Sequence, residues 1–160
     1  MEAYLDIETT GLSPFSDRVT VVGVYLGHSG RVFQWVGGNI ASHRLLRVLE
    51  QAGITTIYTY NGRRFDLPFL RSQIGLDLES KFQHRDLMFD CWRKNLYGGL
   101  KTVERTLGVS RRLVGVDGLE AIRLWNKFDR HQDRVALRRL LDYNKEDVMN
   151  LKAVKEILLG

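Results

Sequence analysis

The stretch EAYLDIETTGLSPFSDRVTVVGVYLGHSGRVFQWV, residues 2–36, decides the fold. It holds three β-patterned runs, 2–8, 18–27 and 31–36, separated by a turn-rich loop and by the turn His28-Ser29-Gly30. Strands joined by connections this short run mostly antiparallel. Within the first run Asp6 and Glu8 stand two residues apart, so they share one face of the strand and leave Leu5 and Ile7 to the other. That face is either a solvated polar surface or, if helices cover both sides of a central strand, a place where like charges share protons or bind cations.

Outward from this stretch the period changes. SHRLLRVLEQAG (42–53) carries leucines at helical spacing between a Ser cap and a Gly stop, and TTIYTYN (55–61) returns to β character. A helix with proline in its first turn is read at DLPFLRSQIG (66–75), and a short edge strand at HRDLM (84–88). From about residue 89 the text is helical: FDCWRKNL, LKTVERTLG, DGLEAIRLWNKF and a last stretch from about 131 to 159. The strand–helix–strand crossover adds short parallel strands to the three antiparallel ones. The expectation is an α/β fold with a mixed sheet flanked by helices.

Two further acids stand out. In the last helix Leu137, Leu140, Leu141, Val148, Leu151, Val154 and Leu158 trace one apolar arc, and Asp147 falls inside it with Tyr143 one turn earlier at its edge. A carboxylate facing a core needs either a buried arginine or a metal ion. Asp142 and Glu146 point elsewhere and are expected to meet solvent. Asp66, after the crossover strand, reads on its own first as a helix N-cap and second as a ligand group at the switch point of an open sheet. Four carboxylates from three separate elements, two of them on the first strand, are what two divalent ions about 3.5–4 Å apart would need for phosphodiester displacement. Mg²⁺ and Mn²⁺ take hard oxygen ligands and require no Cys or His.

Composition narrows the classes. The 160 residues, 44% hydrophobic and 27% charged, are expected to form one globular domain over 1–160. Cys91 is the only cysteine, which excludes an internal disulfide and a Cys-based zinc cage, and the four histidines are scattered. No apolar run approaches a membrane span, and Glu2, Asp6 and Glu8 occupy the place where a signal peptide would be basic and then apolar. A cytoplasmic protein with no membrane partner is expected; its protein partners are unknown. Residues 84–139 hold thirteen basic against seven acidic side chains, and 17 of the 24 cations in the chain are arginine. That balance suits a polyanionic partner, or else a solvated helical surface. Trp35, Trp92 and Trp125 read as core or as base-stacking residues, Asp86 and Asp90 as structural or as acids supporting the site from behind, and Glu104 with Arg111 or Arg112 as a surface ion pair.

YLDIETTGL (4–12), YNGRRFDLPFL (60–70) and YNKEDVMNL (143–151) resemble, in order and spacing, the three signature motifs of the DEDD 3′→5′ exonuclease superfamily, whose fold is ribonuclease H-like. With HRDLM and GGLKTVERTLGV (98–109) the chain looks most like YprB-like domains of that fold. The resemblance implies a two-metal 3′→5′ exonuclease acting on DNA or RNA, single-stranded 3′ ends foremost, with two Mg²⁺ or Mn²⁺ ions. It implies metal ligation by Asp6, Glu8, Asp66 and Asp147. It also implies the tyrosine subgroup (DEDDy), because Tyr143 stands four residues before Asp147 and would orient the attacking water. Thr9, Leu12 and Asn61 are implied as substrate contacts. Two alternatives remain: a nucleic-acid-binding domain with little or no turnover, and an aspartyl-phosphate phosphatase. The second fits poorly, since two strands rather than a helix follow the acid at residue 6.

Overall fold

The computed structural model describes residues 1–160. Its single sheet contains β1 (Glu2–Thr9), β2 (Val19–Leu26), β3 (Arg31–Val36), β4 (Thr56–Thr59) and β5 (Gln83–Asp86), in the order β3-β2-β1-β4-β5. β1 pairs antiparallel with β2 and parallel with β4, while β2–β3 is antiparallel and β4–β5 parallel. The mixed sheet read from the sequence is the one observed. Six helices surround it: α1 (Ser42–Gln51), α2 (Asp66–Ile74), α3 (Leu87–Arg93), α4 (Leu100–Leu107), α5 (Gly118–His131) and α6 (Arg134–Leu159).

The alternation in β1 sorts the two layers. Leu5 and Ile7 join Leu45 and Leu49 of α1 and Leu67, Phe69 and Leu70 of α2 on one face. Tyr4 goes to the other, with Leu151, Val154 and Leu158 of α6. Further along that face α5 and α6 pack over β2 through Trp125, Leu140 and Tyr143 against Val21. Asp6 and Glu8 therefore lie under α6, not on a solvated surface. Gly23 of β2, paired with Asp6, permits this closeness: a Cβ there would come 2.1 Å from Asn144 Oδ1.

Several element ends differ from the reading of the sequence, each for a local reason. β4 stops at Thr59, short of residue 61, because Asn61 turns the chain with φ of 60°. α6 begins at Arg134 rather than 131, because Gln132 takes a left-handed conformation and the Asp133 side chain caps the new helix at Ala136 N–H, 3.0 Å away. Ser42 is the first residue of α1 and supplies no cap; Ala41 precedes it. No helix is long and apolar enough to cross a membrane.

Candidate functional site

Asp6, Glu8 and Asp147 meet where α6 crosses β1. One carboxylate oxygen from each lies within 4.8 Å of the others. Glu8 and Asp147 are buried, Asp6 less so. Burial first, then the Asp147 and Glu8 charges, push the Asp6 carboxyl well above the carboxylate range, and burial and Asp147 do the same to Glu8. Glu8 Oε1 is buried without a hydrogen-bond partner. A converging, all-oxygen, partly unsatisfied donor set fits a hard divalent cation.

Asp66 stands beside this group rather than within it. It opens α2, yet the N-cap position belongs to Phe65 and no side chain caps the helix, so the capping role expected as one possibility is absent. Its Oδ1 instead accepts the Ile7 N–H at 3.1 Å, which ties the start of α2 to β1 between Asp6 and Glu8. Burial raises its carboxyl to about 7, opposed by its backbone hydrogen bonds.

Asn144, Gln34 and Lys101, which sequence reading missed, and Arg111, which it read as part of a surface ion pair, complete the site. Asn144 Nδ2 donates to Asp6 Oδ2 at 3.1 Å and to Asp6 O at 3.2 Å, its amide oriented by Gln34 Nε2, which donates to Asn144 Oδ1 at 3.0 Å. Lys101 Nζ donates to the Tyr143 hydroxyl at 2.6 Å and lies over that ring. Burial, then the Asp147, Glu8 and Asp6 charges, hold the Tyr143 phenol far above its ordinary value, so it stays protonated. Arg111 donates to both Glu104 and Asp147. Glu104 is 1% exposed and the Arg111 side chain 12%, so this pair is buried rather than superficial. Burial sets the Asp147 carboxyl at about 6, with Arg111 pulling it down. Glu146, expected to meet solvent, accepts the Arg112 N–H at 3.0 Å and fixes the segment that delivers Arg111. Lys101, Arg111, Tyr143 and Asp147 line a cleft of about 200 Å³.

Thr9, Leu12 and Asn61 are the expected substrate contacts. Thr9 is buried, its hydroxyl donating to Gly11 O. Leu12 is 83% exposed on the following loop, which Asp17 holds by accepting from Ser13 N–H at 2.9 Å. Asn61 N–H donates to Asp86 Oδ1 at 2.8 Å. Asp86 also accepts from Arg63 and Met88 N–H, and Asp90 pairs with Arg85 and Arg93, so each holds local structure together.

The chain is similar to known proteins over nearly its whole length. It is 29% identical over 173 residues to the uncharacterised protein MJ0365 of Methanocaldococcus jannaschii, covering 99% of this chain and 95% of the relative. It is 28% identical over 172 residues to the uncharacterised protein YprB of Bacillus subtilis, covering 92% of this chain but 39% of YprB. Among solved structures, the family B DNA polymerase of Pyrobaculum calidifontis superposes with a TM-score of 0.79 at 19% identity, over 99% of this chain and 24% of the polymerase. NrnC of Brucella melitensis, solved bound to pGG, superposes with a TM-score of 0.64 at 21% identity, over 98% of this chain and 71% of NrnC; NrnC has also been solved with bound Mg²⁺. A model of the RNase_H superfamily matches residues 3–159, and with that match and the ribonuclease H-like sheet, the chain belongs to this superfamily.

Proposed function

We propose that this chain is a metal-dependent 3′→5′ exonuclease of the tyrosine subgroup, hydrolysing phosphodiester bonds at single-stranded 3′ ends of nucleic acid. The observation that carries the reading is the convergence of Asp6, Glu8 and Asp147, with one buried Glu8 oxygen left without a hydrogen-bond partner. That NrnC was solved with pGG and with Mg²⁺ supports it. Asp6, Glu8, Asp66 and Asp147 would hold two Mg²⁺ or Mn²⁺ ions, whose chemistry when bound is to activate water and stabilise the leaving oxygen.

The chain's own residues do the rest. Lys101 donates to the Tyr143 oxygen, so the phenolic proton is free for another acceptor and orients a water or phosphate oxygen. The Lys101 ammonium, which lines the cleft beside Asp147, would face a phosphate bound there, where negative charge develops. Asn144 fixes the Asp6 carboxylate, and Asp66 fixes the α2 start against β1.

The test is digestion of end-labelled single strands of DNA and RNA with Mg²⁺ or Mn²⁺. A 3′-to-5′ ladder is expected, absent in chelator and in Asp6→Ala. One observation favours a second reading: Arg111 already engages Asp147, as in a domain that binds nucleic acid without turnover. Binding of the same strands with no ladder in either metal would establish that reading instead.

A further inference from the structure

Arg64 lies on the loop between β4 and α2, two residues before Asp66, and its side chain is exposed. Its guanidinium carbon stands 5.5 Å from the Phe89 ring centre and 5.3 Å from that of Trp92. The two rings, one turn apart on α3, meet edge to face at 5.2 Å. Both are only half-buried. Neighbouring arginines are spent on carboxylates: Arg63 lies 3.8 Å from Glu79, and Arg85 and Arg93 share Asp90. Arg64 makes no ion pair and no side-chain hydrogen bond, so its fork of donors is unused beside two aromatic faces.

The cluster is rigid and well placed. One carboxylate, Asp86, accepts from Asn61 and Arg63 N–H on the loop and from Met88 N–H at the start of α3, at 2.8–3.1 Å. It thereby locks the element that carries Arg64 to the element that carries Phe89 and Trp92. The cluster sits at the carboxyl ends of β4 and β5, the end at which Asp66 enters the site. Ligands of open sheets lie outside those strand ends. Aromatic faces joined to an arginine with free donors are how proteins hold single strands without reading sequence.

We propose that Arg64, Phe89 and Trp92 form a base-stacking platform that holds the nucleotides of a single strand lying 5′ of its 3′-terminal dinucleotide. This rests on the nucleic-acid reading of the acidic site and adds a second, separable contact to it. Arg64 takes the backbone phosphate, and the solvent-exposed parts of the two half-buried rings take bases.

The probes are a labelled ten-nucleotide oligothymidylate and the dinucleotide pTT. Binding is measured in chelator and cleavage in Mn²⁺, for the wild type, Arg64→Ala and Trp92→Ala. The platform predicts a loss of about tenfold to a hundredfold in decamer affinity for Trp92→Ala and a smaller loss for Arg64→Ala, with dinucleotide binding and cleavage unchanged. Arg64→Ala is an exposed truncation, so it reads the platform even if Trp92→Ala misfolds by circular dichroism. Unchanged decamer affinity in Arg64→Ala and in folded Trp92→Ala overturns the platform, as does an equal loss for pTT, or a wild type that binds neither probe. A wild type that binds the decamer through these residues yet cleaves neither probe overturns the exonuclease reading and leaves the platform standing.

Discussion

Arg111 binds two buried acids from different helices, and that makes its removal informative. Arg111→Leu strands Glu104 and withdraws the partner of Asp147, an expected loss of about 3–5 kcal/mol in denaturant unfolding with chelator present. The pair Glu104→Leu/Arg111→Leu should regain much of it; additive losses would show that the two do not interact. Because Asp147 is then uncompensated, Mn²⁺ should raise the Tm of Arg111→Leu more than that of the wild type, and an equal rise would remove Asp147 from the ion's ligands. Tyr143→Phe keeps the ring and deletes the hydroxyl that Lys101 engages. It should lower kcat by about tenfold to a hundredfold with little change in oligonucleotide affinity, as checked by single-turnover hydrolysis beside equilibrium binding. Of the site, the residues legible in the sequence were those that break a local pattern: Asp6 and Glu8 in a strand, Asp147 in an apolar arc. Arg111, Lys101 and Asn144 break none. Their partners lie 36, 42 and 138 residues away, and no periodicity reaches that far.

At the scale of the element, the joint between β2 and α6 controls how deeply the acids are buried. Gly23→Ala places a methyl group 2.1 Å from Asn144 Oδ1, and the helix must move off the sheet. The expected cost is about 1–3 kcal/mol by urea unfolding, with loss of activity as Asp147 withdraws from Asp6 and Glu8. Gly23→Ala/Asn144→Ala removes the clash, so stability should return while activity stays low, because Asp6 has lost its donor. If the double variant is no more stable than Gly23→Ala, the contact is not what sets the spacing. The elements themselves were readable because hydrophobic alternation and helical spacing are strong in this chain, from the β1 alternation to the arc of α6. Their ends were less so. The left-handed turn at Gln132 is a single-residue choice without a glycine to announce it, the Asn61-Gly62 pair marks a turn but not where β4 ends before it, and the Asp133 cap shows only once the break is known.

For the whole molecule, the acids make folding and metal binding one equilibrium. In the absence of ions, Asp66 at about 7, Asp147 at about 6, and Asp6 and Glu8 well above the carboxylate range all have folded-state pKa values higher than an unfolded chain's, roughly 4. Between those limits the folded state carries more protons than the unfolded, so stability falls as pH rises. Groups with the opposite sign are fewer or act elsewhere. Asp90, lowered by its hydrogen bond from Arg85, and Glu2, lowered by Lys155 and Tyr4 against the effect of burial, contribute above pH 4 and lose that contribution only in more acidic solution. His84, lowered by burial, gains stability as pH rises through its ordinary range, one group against four. In chelator the protein should therefore be more stable at pH 5 than at pH 8, by about 2 kcal/mol or about 5 °C in Tm. Divalent ions bind the deprotonated site, so saturating Mg²⁺ or Mn²⁺ should reverse the order by raising stability at pH 8, by about 2.7 kcal/mol at a hundredfold excess over Kd, and little at pH 5. Calorimetry at the two pH values, with and without metal, reads all four corners. A Tm that climbs from pH 5 to pH 8 in chelator and ignores metal would mean that the buried charges are already balanced from within the chain, and that Arg111 alone, not an ion, is what the acidic cluster was built around.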